Sequence, residues 1–155
     1  MEYKEVFEKF DIFEGLNDEE EKTLASYFKK RTFEAEDVIY TEGEKGGTLN
    51  LLIKGRVRVS KMITDRDSLT YATLGQGELF GLMSFIDGSN HSATIIADKD
   101  TELVMLEKSD FDSQYDQDPL MVAKMFRRIG IHLCEIVKSM NTQYKDLTTY
   151  MFKYV

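Results

Sequence analysis

Apolar and polar residues change their rhythm twice along this chain, and the changes divide it into three parts. Within residues 1–13, Val6, Phe7 and Phe10 fall on one side of a short amphipathic helix, which Gly15 ends. Asn17-Asp18-Glu19-Glu20 then predicts a second helix start, with Asn17 as cap and Glu20 reaching back to it. Carboxylates suit the positive end of a helix dipole, so Glu19 to Glu21 is expected to be a solvated helix start and not a metal site. Leu24, Tyr27 and Phe28 give that helix its buried stripe. From Thr32 the period becomes two. Val38-Ile39-Tyr40 is a strand, Gly43 to Gly47 a loop, Leu49 to Ile53 a buried strand, and Lys54-Gly55 a tight turn. Val57, Val59 and Lys61 alternate with Arg56, Arg58 and Ser60, which puts the arginines on a wet face. Thr64-Asp65-Arg66-Asp67 makes a hairpin, Leu69, Tyr71 and Thr73 alternate again, and Thr101 to Leu106 is the last strand. Short strands with turns at near-regular spacing predict a sandwich or barrel, not a parallel sheet with crossover helices.

From Asp118 the chain turns helical, with Pro119 suited to the first helical position. Val122, Phe126, Ile129, Leu133, Ile136, Met140, Gln143, Leu147, Tyr150 and Tyr154 follow at alternating steps of four and three. A stripe sustained that long predicts a coiled-coil seam. The alternative is one helix lying on its own sandwich, but at 1.5 Å per residue a helix of roughly 45 Å outreaches a small β-domain. The expected dimer seam is therefore Phe126, Ile129, Leu133, Ile136, Met140, Gln143 and Leu147, with Gln143 fixing register. Ile131, Cys134 and Val137 flank the seam and are expected to pack on the β-domain, Cys134 as an inert buried thiol.

Composition narrows the function. The 155 residues suffice for one domain with a real core and are too few for two ordinary ones. A net charge of −8 repels nucleic-acid phosphates, so direct DNA binding is not expected. One cysteine allows no internal disulfide and no paired-cysteine chemistry, which fits a reducing cytoplasm. No apolar run reaches the length of a membrane span, and the charged start MEYKEVFEKF does not suit a signal peptide. Two histidines and one cysteine leave no nucleophile–base constellation, so no enzyme is expected.

The stretch with candidate chemistry is Leu74 to Ala97, LGQGELFGLMSFIDGSNHSATIIA. Gly75, Gly77 and Gly81 punctuate it, and Asp87-Gly88-Ser89-Asn90 turns the chain into His91-Ser92-Ala93 and a β-branched run. A glycine-rich bend opening into a one-turn helix offers free N–H groups to an anion, although such bends often only turn the chain.

Several motifs resemble the cyclic-nucleotide-binding domain superfamily, the sensor fold of catabolite-activator-type regulators and of regulatory subunits of cyclic-nucleotide-dependent kinases. They are Ile12-Phe13-Glu14-Gly15-Leu16, the hairpin-like run from Gly43 through Leu49 to Val57, the lead Leu74 to Gly81, and Ala93 to Ala97 with Thr101 to Leu106 and Asp110-Phe111. The resemblance covers nearly the whole chain. It implies a mainly β, α+β fold: a double-stranded β-helix jelly-roll over residues 32–107, N-terminal helices over 1–31 and C-terminal helices over 108–155, within a single domain 1–155. The final helix would serve as dimerisation helix and lid.

The departures from that family's cassette bear on function. The family places an acid after the glycine for the ribose and an arginine before Ser-Ala for the cyclic phosphate. Here those positions hold Leu82 and His91. Glu78 lies too early unless the loop slips. Losing two charge-assisted anchors at about 1.5–3 kcal/mol each weakens a cyclic nucleotide by roughly two to four decades. The resemblance implies ligand contacts from Phe80, Gly81, Leu82, Met83, His91, Ser92, Ala93, Ile136 and Val137. Backbone N–H groups near Gly81 to Met83 and the Ser92 hydroxyl remain for an anion, and His91 where protonated. Transcription factors of the family continue into a DNA-binding winged helix, whereas this chain stops at Val155, and Arg127-Arg128 is its one basic pair on the final helix, expected on a solvated face.

Three functions compete. The first is a regulatory sensor with an atypical cassette, taking a cyclic nucleotide or other small anionic or amphiphilic effector and signalling through a homodimer to a protein partner. The second is a ligand-free dimeric adaptor with a packed pocket. The third is a haem or metal sensor, for which only His91, His132 and Cys134 are soft ligands; His132 and Cys134, two apart on a helix, do not share a face.

Overall fold

The computed structural model describes residues 3–64 and 67–153. The tip of the expected 64–67 hairpin and the seam position Tyr154 lie outside the described residues. The elements are α1 (Tyr3–Lys9), a 3-10 turn (Asp11–Phe13), α2 (Asp18–Ala25), β1 (Lys29–Phe33), β2 (Val38–Tyr40), β3 (Thr48–Lys54), β4 (Arg56–Met62), β5 (Ser68–Gly75), β6 (Leu79–Phe80), α3 (Leu82–Asp87), β7 (Thr94–Ala97), β8 (Thr101–Glu107), α4 (Lys108–Asp112) and α5 (Pro119–Lys153). The strands form two antiparallel sheets in the orders β1-β8-β3-β6 and β2-β7-β4-β5. This is the jelly-roll with flanking helices that the strand pattern and the resemblance predict.

Strand β3 explains how one sheet carries two cores. Its apolar run is buried on both faces. Leu52, with Leu103 and Phe80 of the same sheet, packs against Val57 and Ile95 of the other sheet. Leu49, Leu51 and Ile53, with Val104 and Leu106, pack outward against the helices, where Phe13, Leu24, Phe111, Met121 and Met125 meet them. The turn at Lys54-Gly55 does not close a hairpin. It passes the chain from one sheet to the other, since β3 pairs with β6 and β8 while β4 pairs with β5 and β7. Gly55 permits this with φ of 97° and no Cβ, which would lie 2.4 Å from the Asp100 carbonyl oxygen.

Several expectations need correction. Helix α2 ends at Ala25, so Tyr27 and Phe28 pack on the helical core from the following turn. Strand β1 begins at Lys29, not at Thr32; it is an exposed edge strand whose charges hide any alternation, paired to β8 with Lys29–Glu107 and Lys30–Glu102 contacts of 2.7 and 2.8 Å. The alternation in β4 fails at Ser60, because a register shift between Val59 and Ser60 turns Ser60 inward and Lys61 outward.

The capping box of Asn17 and Glu20 forms as predicted. Glu20 is nevertheless buried, with both carboxylate oxygens accepting from Lys124 Nζ at 2.7 Å. It fastens α2 to α5 and is not solvated. Arg128 likewise donates to the Asp11 carbonyl at 2.8 Å and pairs with Glu14, so only Arg127 of that basic pair is exposed.

The stripe along α5 divides in two. Val122 and Ile129 are buried, and Phe126 and Leu133 half-buried, all against the helical core of the same chain. From Ile136 onward the same stripe, Met140, Gln143, Leu147 and Tyr150, is exposed. The flanking residues were expected to touch the β-domain, but Cys134 and Val137 are exposed and Ile131 is half-buried. The physical reason is the phase of the stripe. The seam positions themselves face the domain, which turns their flanks to solvent.

Candidate functional site

Strand β6 and helix α3 bring the glycine-punctuated stretch to the mouth of the sandwich. Gly81 joins them in the left-handed region, with φ of 82°. A Cβ there would lie 2.4 Å from the Thr48 carbonyl oxygen, so only glycine fits between β3 and the start of α3. Asn50, fully buried on β3, donates to the Thr48 and Phe80 carbonyls at 3.1 and 3.4 Å and holds the same corner. Ser84 Oγ donates to the Gly81 carbonyl and accepts from Gly47 N–H, tying α3 to the loop before β3.

A cavity of about 310 Å³ opens beside this corner. Phe80, Gly81, Leu82 and Met83 form one wall and Ser89 to Ala93 another. Tyr40, Val59, Tyr71, Leu74 and Ile95 form its floor on the β2-β7-β4-β5 sheet, and His132, Leu133 and Ile136 of α5 cover it. The structure thus gathers eight of the nine residues singled out from the sequence. Val137 is the exception: it is 54% exposed and points away from the cavity. Leu82 lines the cavity and also belongs to the helical core, so it anchors α3 as well. Tyr40 and Tyr71 were missed in the sequence, because a strand's cavity-facing residues are set by which sheet it joins and not by its own alternation; His132, read there only as a candidate soft ligand, also lines the cavity.

His91 is not a free loop histidine. It is 8% exposed and lies flat on Tyr40, with ring centroids 3.5 Å apart and planes within 5°. Its backbone is clamped on both sides, donating to the Glu44 carbonyl and accepting from Gly43 N–H at 2.8 Å each. Burial lowers its pKa from 6.5, against a smaller raising effect from Glu44. Burial also raises the Tyr40 phenol above its usual value, so that ring is neutral. Phe80 stands 5.9 Å from Tyr40, so three rings meet where the two walls join the floor.

No carboxylate, ammonium or guanidinium lines the cavity among the described residues. Glu78 does not slip into it; its Oε2 accepts from Gly75 N–H at 2.6 Å within the β5–β6 turn. Arg58 is held by Glu36 and Asp98, and Arg56 by Asp98, on the sheet outside the cavity. Elsewhere among the described residues, no three His, Cys, Asp or Glu side chains are grouped to hold a metal ion, and no helix is long and apolar enough to cross a membrane.

The double-stranded jelly-roll thus holds a cavity behind the Gly81-Leu82-Met83-Ser84 corner with α5 across it, and this architecture places the chain in a known class. The chain belongs to the cyclic nucleotide-binding domain family, which it matches over residues 30–118. It is 36% identical over 124 residues to the cyclic AMP receptor protein of Thermus thermophilus, covering 80% of this chain and 57% of that protein. It is 26% identical over 113 residues to cGMP-dependent protein kinase 2 of Mus musculus, covering 72% of this chain and 15% of the kinase. Among solved structures, a cyclic nucleotide-binding domain from Methylobacillus flagellatus superposes with a TM-score of 0.76 at 26% identity, over 93% of this chain and 80% of the other. The Thermus thermophilus catabolite activator protein superposes with a TM-score of 0.74 at 30% identity, over 89% and 63%. The chain therefore spans little more than half of the first relative and a small part of the kinase.

Proposed function

We propose that this domain is a regulatory sensor with an atypical phosphate-binding cassette, whose cavity takes a small effector and whose α5 transmits the occupancy. Phe80, Gly81, Leu82, Met83, His91, Ser92, Ala93 and Ile136 contact the effector. A homodimer along the exposed part of α5, and through it a protein partner, receives the signal. It is a binding module and not an enzyme, and with a net charge of −8 it does not itself bind DNA.

One observation carries this: Leu133 and Ile136 lie in the cavity wall, and the stripe they belong to continues out of the domain through the exposed Met140 and Leu147. Whatever fills the cavity touches the helix that would form the dimer. Such contact gives the ligand different affinities for two settings of the helix, which a population shift requires. A ligand-free adaptor remains the second reading, favoured by the absence of both charged clamps from the cavity.

Cys134 provides the test. It is the chain's one cysteine, exposed, and sits on α5 between the cavity-lining Leu133 and Ile136. A polarity-sensitive fluorophore placed there is titrated with cyclic AMP, cyclic GMP and a panel of small uncharged aromatics, with thermal unfolding in parallel. A sensor shows a change in emission and a rise in Tm following RT ln(1 + [L]/Kd). A silent label and an unmoved Tm across the panel at millimolar ligand leave the adaptor.

A further inference from the structure

We propose that the effector of this cavity is an uncharged, planar aromatic molecule of about two fused rings with one polar group, and not a phosphate-bearing nucleotide. The inference rests on the sensor reading above and names its ligand class.

The first ground is charge. The cavity lining holds no Lys or Arg among the described residues, and Arg56 and Arg58 on the sheet are paired with Glu36 and Asp98. Lys108, which approaches the α3–β7 turn, is held by both oxygens of Asp112 at 3.0 and 2.8 Å. A phosphate seated here would lose water without gaining a Lys or Arg partner from the lining, and an unpaired buried charge is strongly disfavoured. His91 does not repair this near neutral pH, because burial favours its uncharged form.

The second ground is shape. His91 and Phe80, from the two walls, both pack on Tyr40 of the floor, so the floor and walls meet in an aromatic surface. The covering helix adds the aliphatic Leu133 and Ile136 with the His132 ring beside them. Two such faces select a flat apolar body. A volume of about 310 Å³ sits at the small end of ligand pockets. Small polar side chains collect at the mouth, where Ser89, Asn90 and Ser92 are exposed, while the Tyr71 hydroxyl and the His132 ring line the cavity from the floor and the covering helix. They suit a single hydroxyl or amide on the ligand.

A matched pair isolates the charge. 2-Naphthol and 2-naphthyl phosphate carry the same ring system, and both can be excited at wavelengths longer than tryptophan absorbs, so the tryptophan variants do not disturb the readout. Titration by fluorescence anisotropy at pH 7.5 should show 2-naphthol binding more tightly by about tenfold or more. Ile136→Trp, which thrusts bulk under the lid from a half-exposed helical position, should weaken 2-naphthol by a similar factor. Far-UV circular dichroism checks that this variant is folded. Met83→Trp at the exposed mouth is the second blocking variant. Tighter binding of 2-naphthyl phosphate or cyclic AMP than of 2-naphthol, blocked by the same variants, overturns the ligand class and leaves the sensor standing. Binding of 2-naphthol that neither variant weakens overturns the assignment to this cavity. No binding of any of the three at millimolar concentration overturns the ligand class and the sensor together.

Discussion

Replacing Met140 and Leu147 by glutamate should dissociate the proposed dimer while leaving the β-domain folded. In the single chain these side chains are 61% and 57% exposed. Complete burial of a Leu or Met side chain contributes about 1.5–3 kcal/mol, so the exposed half or more has about 1–1.5 kcal/mol left to gain. Two positions on each of two chains make four side chains, or about 4–6 kcal/mol, before any repulsion between the new carboxylates. At about 1.4 kcal/mol per decade, the dissociation constant rises by roughly three to four decades. Sedimentation equilibrium at micromolar concentration measures this directly. The wild type should sediment at twice the chain mass and the double variant at the chain mass. Amide exchange in β3 and β8 should be unchanged, since neither side chain touches its own domain. A wild type that is monomeric at tens of micromolar, or a double variant that stays dimeric, refutes the assignment of this face.

Three further outcomes follow from single contacts. Lys124→Ala strips the buried Glu20 carboxylate of its cation, and urea unfolding should show a loss of about 1–3 kcal/mol, discounted from the fully buried case because Lys124 is partly solvated; a loss under about 0.5 kcal/mol means the pair does not hold α2 to α5. Gly81→Ala meets both a left-handed backbone and the Thr48 carbonyl, so it should cost at least about 2 kcal/mol in the same assay, and a neutral result would show that the corner is mobile. His91 has its folded pKa below the unfolded value of 6.5, so the unfolded chain takes up the proton first. Its contribution is complete above pH 6.5 and is lost as pH falls toward the folded pKa. The stability of the wild type should therefore drop more than that of His91→Phe between about pH 7 and pH 5, and parallel profiles would show that His91 does not titrate differently on folding.

The elements with a strong local signal were readable from residues alone. The Asn17 cap, the doubly apolar β3, the Pro119 helix start and the turn-flanked strands each follow from chemistry within a few positions. What was not readable depends on partners distant in sequence. Glu20 lies in an acidic run that any sequence reading leaves in water, until Lys124 arrives 104 residues later. The turn at Gly55 looks like a hairpin because local glycine chemistry is the same whether the flanking strands pair or change sheets. The stripe on α5 was visible at full length, but one periodicity cannot tell which half faces the chain's own core. At the site, Leu82 and His91 were legible at the positions where the resemblance expects charges. The stacking of His91 on Tyr40 was not, because it joins a loop to a strand 51 positions away in a geometry set by β2–β7 pairing.

The divided stripe gives the proposed sensor its mechanical logic. Up to Leu133 the helix is held by the core; beyond Ile136 it is an arm whose apolar stripe is exposed; and the residues at the change line the cavity. Taking Ile129 as the last fully buried pivot, Ile136 lies about 10 Å along the axis and Lys153 about 36 Å. A displacement of about 1 Å at Ile136 therefore moves the far end by about 3 Å, enough to change how side chains of two such arms interlock. Core packing resists small continuous shifts, so the arm prefers one of two settings over intermediate ones. An effector pressing on Leu133 and Ile136 biases that choice without needing charge, because the contact is steric and apolar. This is why a cavity without a phosphate clamp still suits a sensor: the clamp selects the ligand, while the lever needs only that something occupy the space beneath the helix.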